Sequence, residues 1–276
     1  MFEKFTRSWE LTKASAAVLR SDKELLLFPV ISSLAALLVA ATFLIPIFGL
    51  RLFEGGQIGP LGFVVGFLFY FCQYFVIFYF NVALVGAAMI RLEGGDPTVG
   101  DGLRIAKSKA GVILGYAAIA ATVGIILKAV EERAGFLGRI VIGLVGAAWT
   151  VATFMVVPVL VAQDVGPLEA VKESVNLLKK TWGENIIGTG GIGIVFGLLI
   201  VATVIVGVVA SIAAAALSPY LAVTMAVITV LAVIFLGVIQ AALGGIYAAA
   251  LYRYAVDGQA PAGFGGSALQ LAFKPK

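Results

Sequence analysis

The sequence predicts an all-α polytopic membrane protein, with six transmembrane helices arranged as three hairpins and amphipathic interfacial helices on the cytoplasmic side. Three observations predict it. Hydrophobic residues make up 61% of the 276 residues, against roughly 45–50% in a soluble domain. Charged residues make up 12%, about half the usual share. The charges are also segregated, leaving six apolar runs, each long enough as a helix to cross about 30 Å of hydrocarbon. None of these runs alternates as a barrel strand would, so the spans are helices.

The elements follow in chain order within a single membrane domain, residues 1–276. In residues 1–23, Phe2, Phe5, Trp9, Thr12, Ala16 and Leu19 recur every three to four positions, while Lys4, Arg7 and Lys13 lie largely off that stripe. This reads as an amphipathic N-terminal helix. It is too long and too mixed in charge for the leading region of a signal peptide, and no clear small-x-small cleavage site follows. The spans are expected at about 25–50, 61–90, 111–130, 136–162, 187–217 and 221–251, with a cytoplasmic tail over 252–276. Lys128 and Arg139 are the formal charges within them, both near span ends where long side chains reach the headgroups. Several runs exceed the minimum length, so tilts, kinks or projections are expected. Pro29, Pro46 and Pro158 mark kinks or ends, and Ser218-Pro219 a tight turn between the last two spans.

A second amphipathic helix is expected over 167–182. Its stripe is Leu168, Val171, Val175, Leu178 and Trp182, with Pro167 in the first turn and Lys179 and Lys180 in the last. Phe2, Phe5, Trp9, Leu168, Val171, Val175, Trp182, Lys179 and Lys180 are therefore the expected membrane-surface contacts. Packing of both helices on the end of the bundle is the competing arrangement, and the two are compatible. A short pattern recurs, reading Ser8, Leu11, Lys13, then Gly102, Ile105, Lys107, then Ser174, Leu177, Lys179. It suggests one charged element feeding a hairpin, used three times.

Orientation comes from the basic residues. One side gathers Lys4, Arg7, Lys13, Arg20 and Lys23, then Arg91, Arg104, Lys107 and Lys109, then Lys172, Lys179 and Lys180, then Arg253, Lys274 and Lys276. The other holds Arg51, Lys128, Arg133 and Arg139. The asymmetry predicts a multi-pass protein of the cell membrane with both termini cytoplasmic.

The residue inventory excludes much chemistry. There is no histidine, so imidazole bases and His-ligated metals are out, and the one cysteine, Cys72, permits no intramolecular disulfide. The net charge of +4 reads as positive loops on anionic lipid. With no run of five basic residues, nucleic acid is not an expected partner. The acids Glu93, Asp96, Asp101, Asp164, Glu169 and Glu173 lack tight metal spacing. No phosphate-binding loop or nucleophile elbow occurs. Neither catalysis nor a cofactor or metal is expected. No ionisable residue sits in the middle of a span, which counts against proton-coupled transport.

Two sets of residues remain. Gln73 and Asn81 in span 2 and Gln240 in span 6 are polar amides inside the spans, with Asn81 and Gln240 expected at similar depth facing the bundle interior. They form either interhelical glue or a polar solute site. Gly62/Gly66, Gly111/Gly115 and Gly193/Gly197 are G-x-x-x-G pairs, and Gly237 and Gly245 belong to a small-residue ladder in span 6. These permit close helix packing within the chain, or between copies of it.

The run Ser8-Trp9-Glu10-Leu11-Thr12-Lys13-Ala14-Ser15, followed by Leu19-Arg20-Ser21-Asp22-Lys23-Glu24-Leu25 and Phe28-Pro29, resembles a prokaryotic domain-of-unknown-function family of six-span membrane proteins. The run Gly166-Pro167-Leu168-Glu169-Ala170, with Ser174 beyond it, is similar to the membrane domain associated with glycerophosphodiester phosphodiesterases. The first resemblance implies the six-span topology and carries no activity. The second lacks its catalytic domain here, so the phosphodiesterase activity does not transfer. The expected function is a non-catalytic scaffold or subunit organising membrane or partner proteins, with lipids and a protein partner or second copy as partners. The alternative is a transporter or pore for a small or lipid-like solute.

Overall fold

The computed structural model describes residues 2–49, 60–181, 185–258 and 264. Helix α1 (Phe2–Ser21) leads through a 3₁₀ turn (Lys23–Leu26) into α2 (Leu27–Gly49). Then follow α3 (Pro60–Leu92), α4 (Val99–Ser108), α5 (Ala110–Arg133), α6 (Phe136–Ala152), α7 (Val156–Ala162), α8 (Pro167–Thr181), α9 (Asn185–Ala215) and α10 (Pro219–Asp257). No strand occurs among the described residues. Six segments are long and apolar enough to cross a membrane: Lys23–Ile45, Val64–Leu92, Ala110–Arg133, Phe136–Ala162, Ile192–Ala215 and Pro219–Asp257. The chain is an all-α polytopic membrane protein.

The element order repeats three times. A short charged helix (α1, α4, α8) precedes a hairpin: α2 with α3, α5 with α6–α7, and α9 with α10. Of the recurring positions, Leu11 and Leu177 are buried and Ile105 is half-buried, Gly102 and Ser174 are buried, and the lysines Lys13, Lys107 and Lys179 are exposed.

Two expected spans differ in detail. The run 136–162 is not one helix but two, interrupted at Thr153–Met155. Pro158 explains the break, because it offers no N–H and its ring crowds the carbonyl four residues back, at Phe154. The last helix continues past Leu251 to Asp257, because Arg253 neutralises the acids there. It pairs with Glu93 at 2.6 Å and Asp257 at 3.6 Å. Gly258, at φ 69°, then closes α10 in the left-handed conformation that suits glycine. The loop after α3 also contains a full helix, α4. Thr98 and Asp101 start it with a capping box, each side chain bonding the other's backbone N–H.

The core lies toward one end of the bundle. Every residue from Val82 through Met89 of α3 is buried, as are Leu243 and Ile246–Tyr252 of α10. These helices meet where Gly245 faces Leu84; a Cβ at Gly245 would lie 2.5 Å from Leu84 Cδ2. Around this centre α1 packs on α9 and α10, α2 and α4 on α3, and α7 on α3 and α8. Phe264, beyond α10, belongs to the same core at 1% exposure. At the other end burial disappears. Helix α6 has no buried residue, and neither does α10 from Pro219 through Gly237. Apolar side chains there, such as Phe136 and Tyr220, are left for lipid to cover.

Candidate functional site

The three amides divide. Gln73 donates its Nε2–H to the Ala36 carbonyl of α2 at 3.0 Å and joins two spans. Asn81 and Gln240 are half-buried at the margin of the packed core. Asn81 precedes Leu84 by three residues and Gln240 precedes Gly245 by five on the two helices that cross there, and no hydrogen bond joins the two amides among the described residues. Next to Asn81 on the core side comes the closed run Val82–Met89.

A row of rings runs from Asn81 toward the other end of α3. Tyr70, Tyr74 and Phe78 stack one helical turn apart, with centroids 6.5 and 5.6 Å apart. Phe78 meets Tyr116 of α5 at 4.5 Å. Tyr70 Oη lies 3.5 Å from Lys128 Nζ, at the outer limit of a hydrogen bond. At the other end of the row the Tyr116 hydroxyl lies beside the Thr153 side chain, in the α6–α7 break. The row binds α3 to α5 with aromatic area and places hydroxyls along an otherwise apolar seam. Sequence reasoning missed it, although the i, i+4 spacing of Tyr70, Tyr74 and Phe78 was there to read.

The α6–α7 break is sealed by α8. Ser174, fully buried, donates its hydroxyl to the Ala152 carbonyl at 2.6 Å and accepts the Met155 N–H at 3.1 Å. One hydroxyl thus satisfies backbone groups that the proline-broken helix cannot. This seat fixes the rotation of α8. Its buried face is Ala170, Ser174, Leu177 and Leu178, so the helix packs on the bundle. Of the expected stripe, Leu168 is 63% exposed and Val171 and Val175 are half-buried. The expected surface stripe therefore lies partly outside the contact with the bundle. In α1 the buried face is Leu11, Thr12, Ser15, Val18 and Leu19, and Trp9 is 45% exposed. Lys13 stands over the Trp9 ring. The side chains of Phe2, Phe5 and Lys180, and all of Trp182, lie outside the described residues.

The glycines divide too. A Cβ at Gly115 would lie 2.9 Å from Pro167 Cγ, so Gly115 and Gly245 stand at close crossings. At Gly66, Gly111, Gly193, Gly197 and Gly237 a Cβ would meet nothing within 4 Å. Gly62 lies in the first turn of α3. The tight positions that reasoning from G-x-x-x-G missed are Gly86 against Ile105, Gly102 against Phe28 and the Ala83 carbonyl, and Gly207 against Thr229.

Most of the charged side chains gather at the core end, apart from the cluster of Lys128, Glu131, Glu132, Arg133 and Arg139 around the α5–α6 turn. Lys109 donates to the Gln163 carbonyl at 2.8 Å, and Gln163 to the Tyr252 hydroxyl at 3.0 Å. Arg91 pairs with Asp96 at 3.3 Å. Glu24 accepts the Val99 N–H at 2.9 Å, which fastens the start of α4 to the turn before α2. Among the described residues no group of acids and cysteine could hold a metal.

Asp22 caps the 3₁₀ turn through the Glu24 N–H at 3.1 Å, and its other oxygen is buried without a partner. Burial raises its carboxyl above the ordinary range, against the opposing Glu24 hydrogen bond. Asp101 is lowered instead, first by its hydrogen bonds from Thr98. The signs differ. A raised pKa gives a contribution present below the unfolded value and lost as pH rises through the folded one; the Asp101 contribution is lost as pH falls. Asp22→Asn should therefore gain most over the parent at neutral pH, and the gain should shrink on acidification. Melting in detergent from neutral to acid pH checks this, and a gap that stays constant contradicts it.

No curated protein matches the chain. The match found carries no link to glycerophosphodiester phosphodiesterases. Residues 60–264, from the start of α3 to the buried Phe264, match the sequence model of a family of unknown function, DUF6159, and the chain belongs to that family.

Proposed function

We propose that the protein is a non-catalytic scaffold of the cell membrane, a subunit that organises the bilayer or partner proteins around it, with both termini cytoplasmic. The observation that supports this is the closed packing of Val82–Met89 against α10. It places fully buried apolar side chains between the amides Asn81 and Gln240 and the charged end. The exposed apolar faces of α6, α9 and α10 offer the surface on which partners or lipid would assemble. Chemical cross-linking in native membranes, followed by mass spectrometry, should recover a stoichiometric partner or a defined oligomer of this chain. Recovery of the chain alone as a monomer counts against the scaffold.

The second reading, a transporter or pore for a small or lipid-like solute, is favoured by the two half-buried amides that share no hydrogen bond. Vesicle flux that disappears in Asn81→Leu and Gln240→Leu variants would replace the scaffold with it. Orientation is tested separately. Ser15 is fully buried, so a cysteine belongs at the exposed Lys13 in a Cys72→Ala background. It should resist an impermeant maleimide in intact cells and label after permeabilisation.

A further inference from the structure

Between α6 and α8 runs an open groove of about 270 Å³. Helix α6 supplies Ala148, Val151 and Ala152, and α8 supplies Val175, Leu178 and Lys179. Small alanines form the α6 wall, so the depth of the groove comes from their missing side-chain volume. Its lining is apolar throughout, and the one charged residue that borders it is Lys179, an exposed side chain that lines it with its aliphatic stem. Among the described residues Lys179 has no carboxylate partner. The groove lies beside the Ser174 seat and in line with the half-buried Val171–Val175 side of α8. It is thus built by the same helix rotation that leaves part of this stripe outside the contact with the bundle.

We infer that the groove is the seat of one anionic phospholipid, with an acyl chain along the alanines and the headgroup phosphate on Lys179. The chemistry of the groove requires an occupant that is apolar along its length and anionic at one end. A second copy of this chain fits less well. The middle lengths of its spans carry no Asp or Glu, so a span laid in the groove along its middle would leave Lys179 unpaired. The lysine also stands on the side of the protein that gathers its basic residues, where anionic lipid is attracted.

The test titrates the full-length protein in detergent with phosphatidylglycerol or phosphatidylcholine and reads bound lipid by native mass spectrometry. Phosphatidylglycerol should bind more tightly. Lys179→Gln should weaken it about fivefold, the effect of one lysine near a lipid surface, and bring it to the level of phosphatidylcholine. Lys179→Arg should retain the preference. Ala148→Phe fills the groove and should reduce binding of both lipids. Should Ala148→Phe fail to fold, the Lys179 pair decides alone. Unchanged phosphatidylglycerol binding in Lys179→Gln overturns the proposal. So does an Ala148→Phe protein that loses an oligomer while keeping its lipid, because a second copy would then be the occupant.

Discussion

Replacing Gly102 by valine is expected to lift α4 off the bundle. Gly102 is buried against α3 and the start of α2. A Cβ there would lie 2.5 Å from Phe28 Cζ and 2.7 Å from the Ala83 carbonyl oxygen. The Phe28 ring is itself fully buried, and a helix carbonyl cannot turn aside without losing its own hydrogen bond. Overpacking of a tight core costs about 1–3 kcal/mol, and a clash with backbone belongs at the top of that range or above it. The readouts are a lower melting temperature in detergent and new proteolytic cleavage around Gly94–Thr98. Gly100→Val is the control, because its nearest neighbour, Thr98 Oγ1, stands at an ordinary 3.5 Å. Equal behaviour of the two variants would mean that α4 is not seated as described.

Ser174→Ala should give the second large effect. It removes one hydroxyl but strands two backbone groups, the Met155 N–H and the Ala152 carbonyl, in a fully buried place. A buried group left unsatisfied costs about 1–3 kcal/mol. The loss should be local as well as global: amide exchange at Phe154–Val156 should accelerate before exchange in α3 does. Ser33→Ala supplies the contrast. Ser33 donates to the Pro29 carbonyl within its own helix at 2.8 Å, and its loss should be nearly silent. No change at Ser174 would mean that the α6–α7 break finds partners elsewhere.

The spans were legible because hydropathy and length alone decide them, and Pro158 announced the break in the fourth. Helix orientation was harder to read. In water an apolar stripe marks the face turned inward. In a bilayer lipid is as apolar as the core, so hydropathy cannot separate the two. Leu168 and Val175 therefore read as strongly as Leu177 and Leu178, although burial separates them. What selected the inward face of α8 was small size and a hydroxyl, at Ala170 and Ser174. The same reason explains the glycines. Spacing named Gly193 and Gly197, which face open space, and passed over Gly102 and Gly207, which stand at crossings. Close approach is a property of the partner helix as much as of the motif, and the partner is not written in the same stretch of sequence. The asparagine and glutamine were legible as polar residues in spans, but only coordinates could show that Gln73 is bonded to α2 while Asn81 and Gln240 are not bonded to each other.

The one-ended core has a mechanical meaning. Helix α10 is gripped over Val238–Tyr252 and carries no buried residue from Pro219 through Gly237, a length of about 28 Å at 1.5 Å per residue. Together with the outer part of α9, to which it is pinned at Gly207–Thr229, it behaves as a cantilever. The fulcrum is the Gly245–Leu84 crossing. A sideways push at the Ser218-Pro219 tip, from a change in bilayer thickness or lateral pressure, reaches that fulcrum as torque. From there it passes into the buried run of α3, which holds α4 and α7.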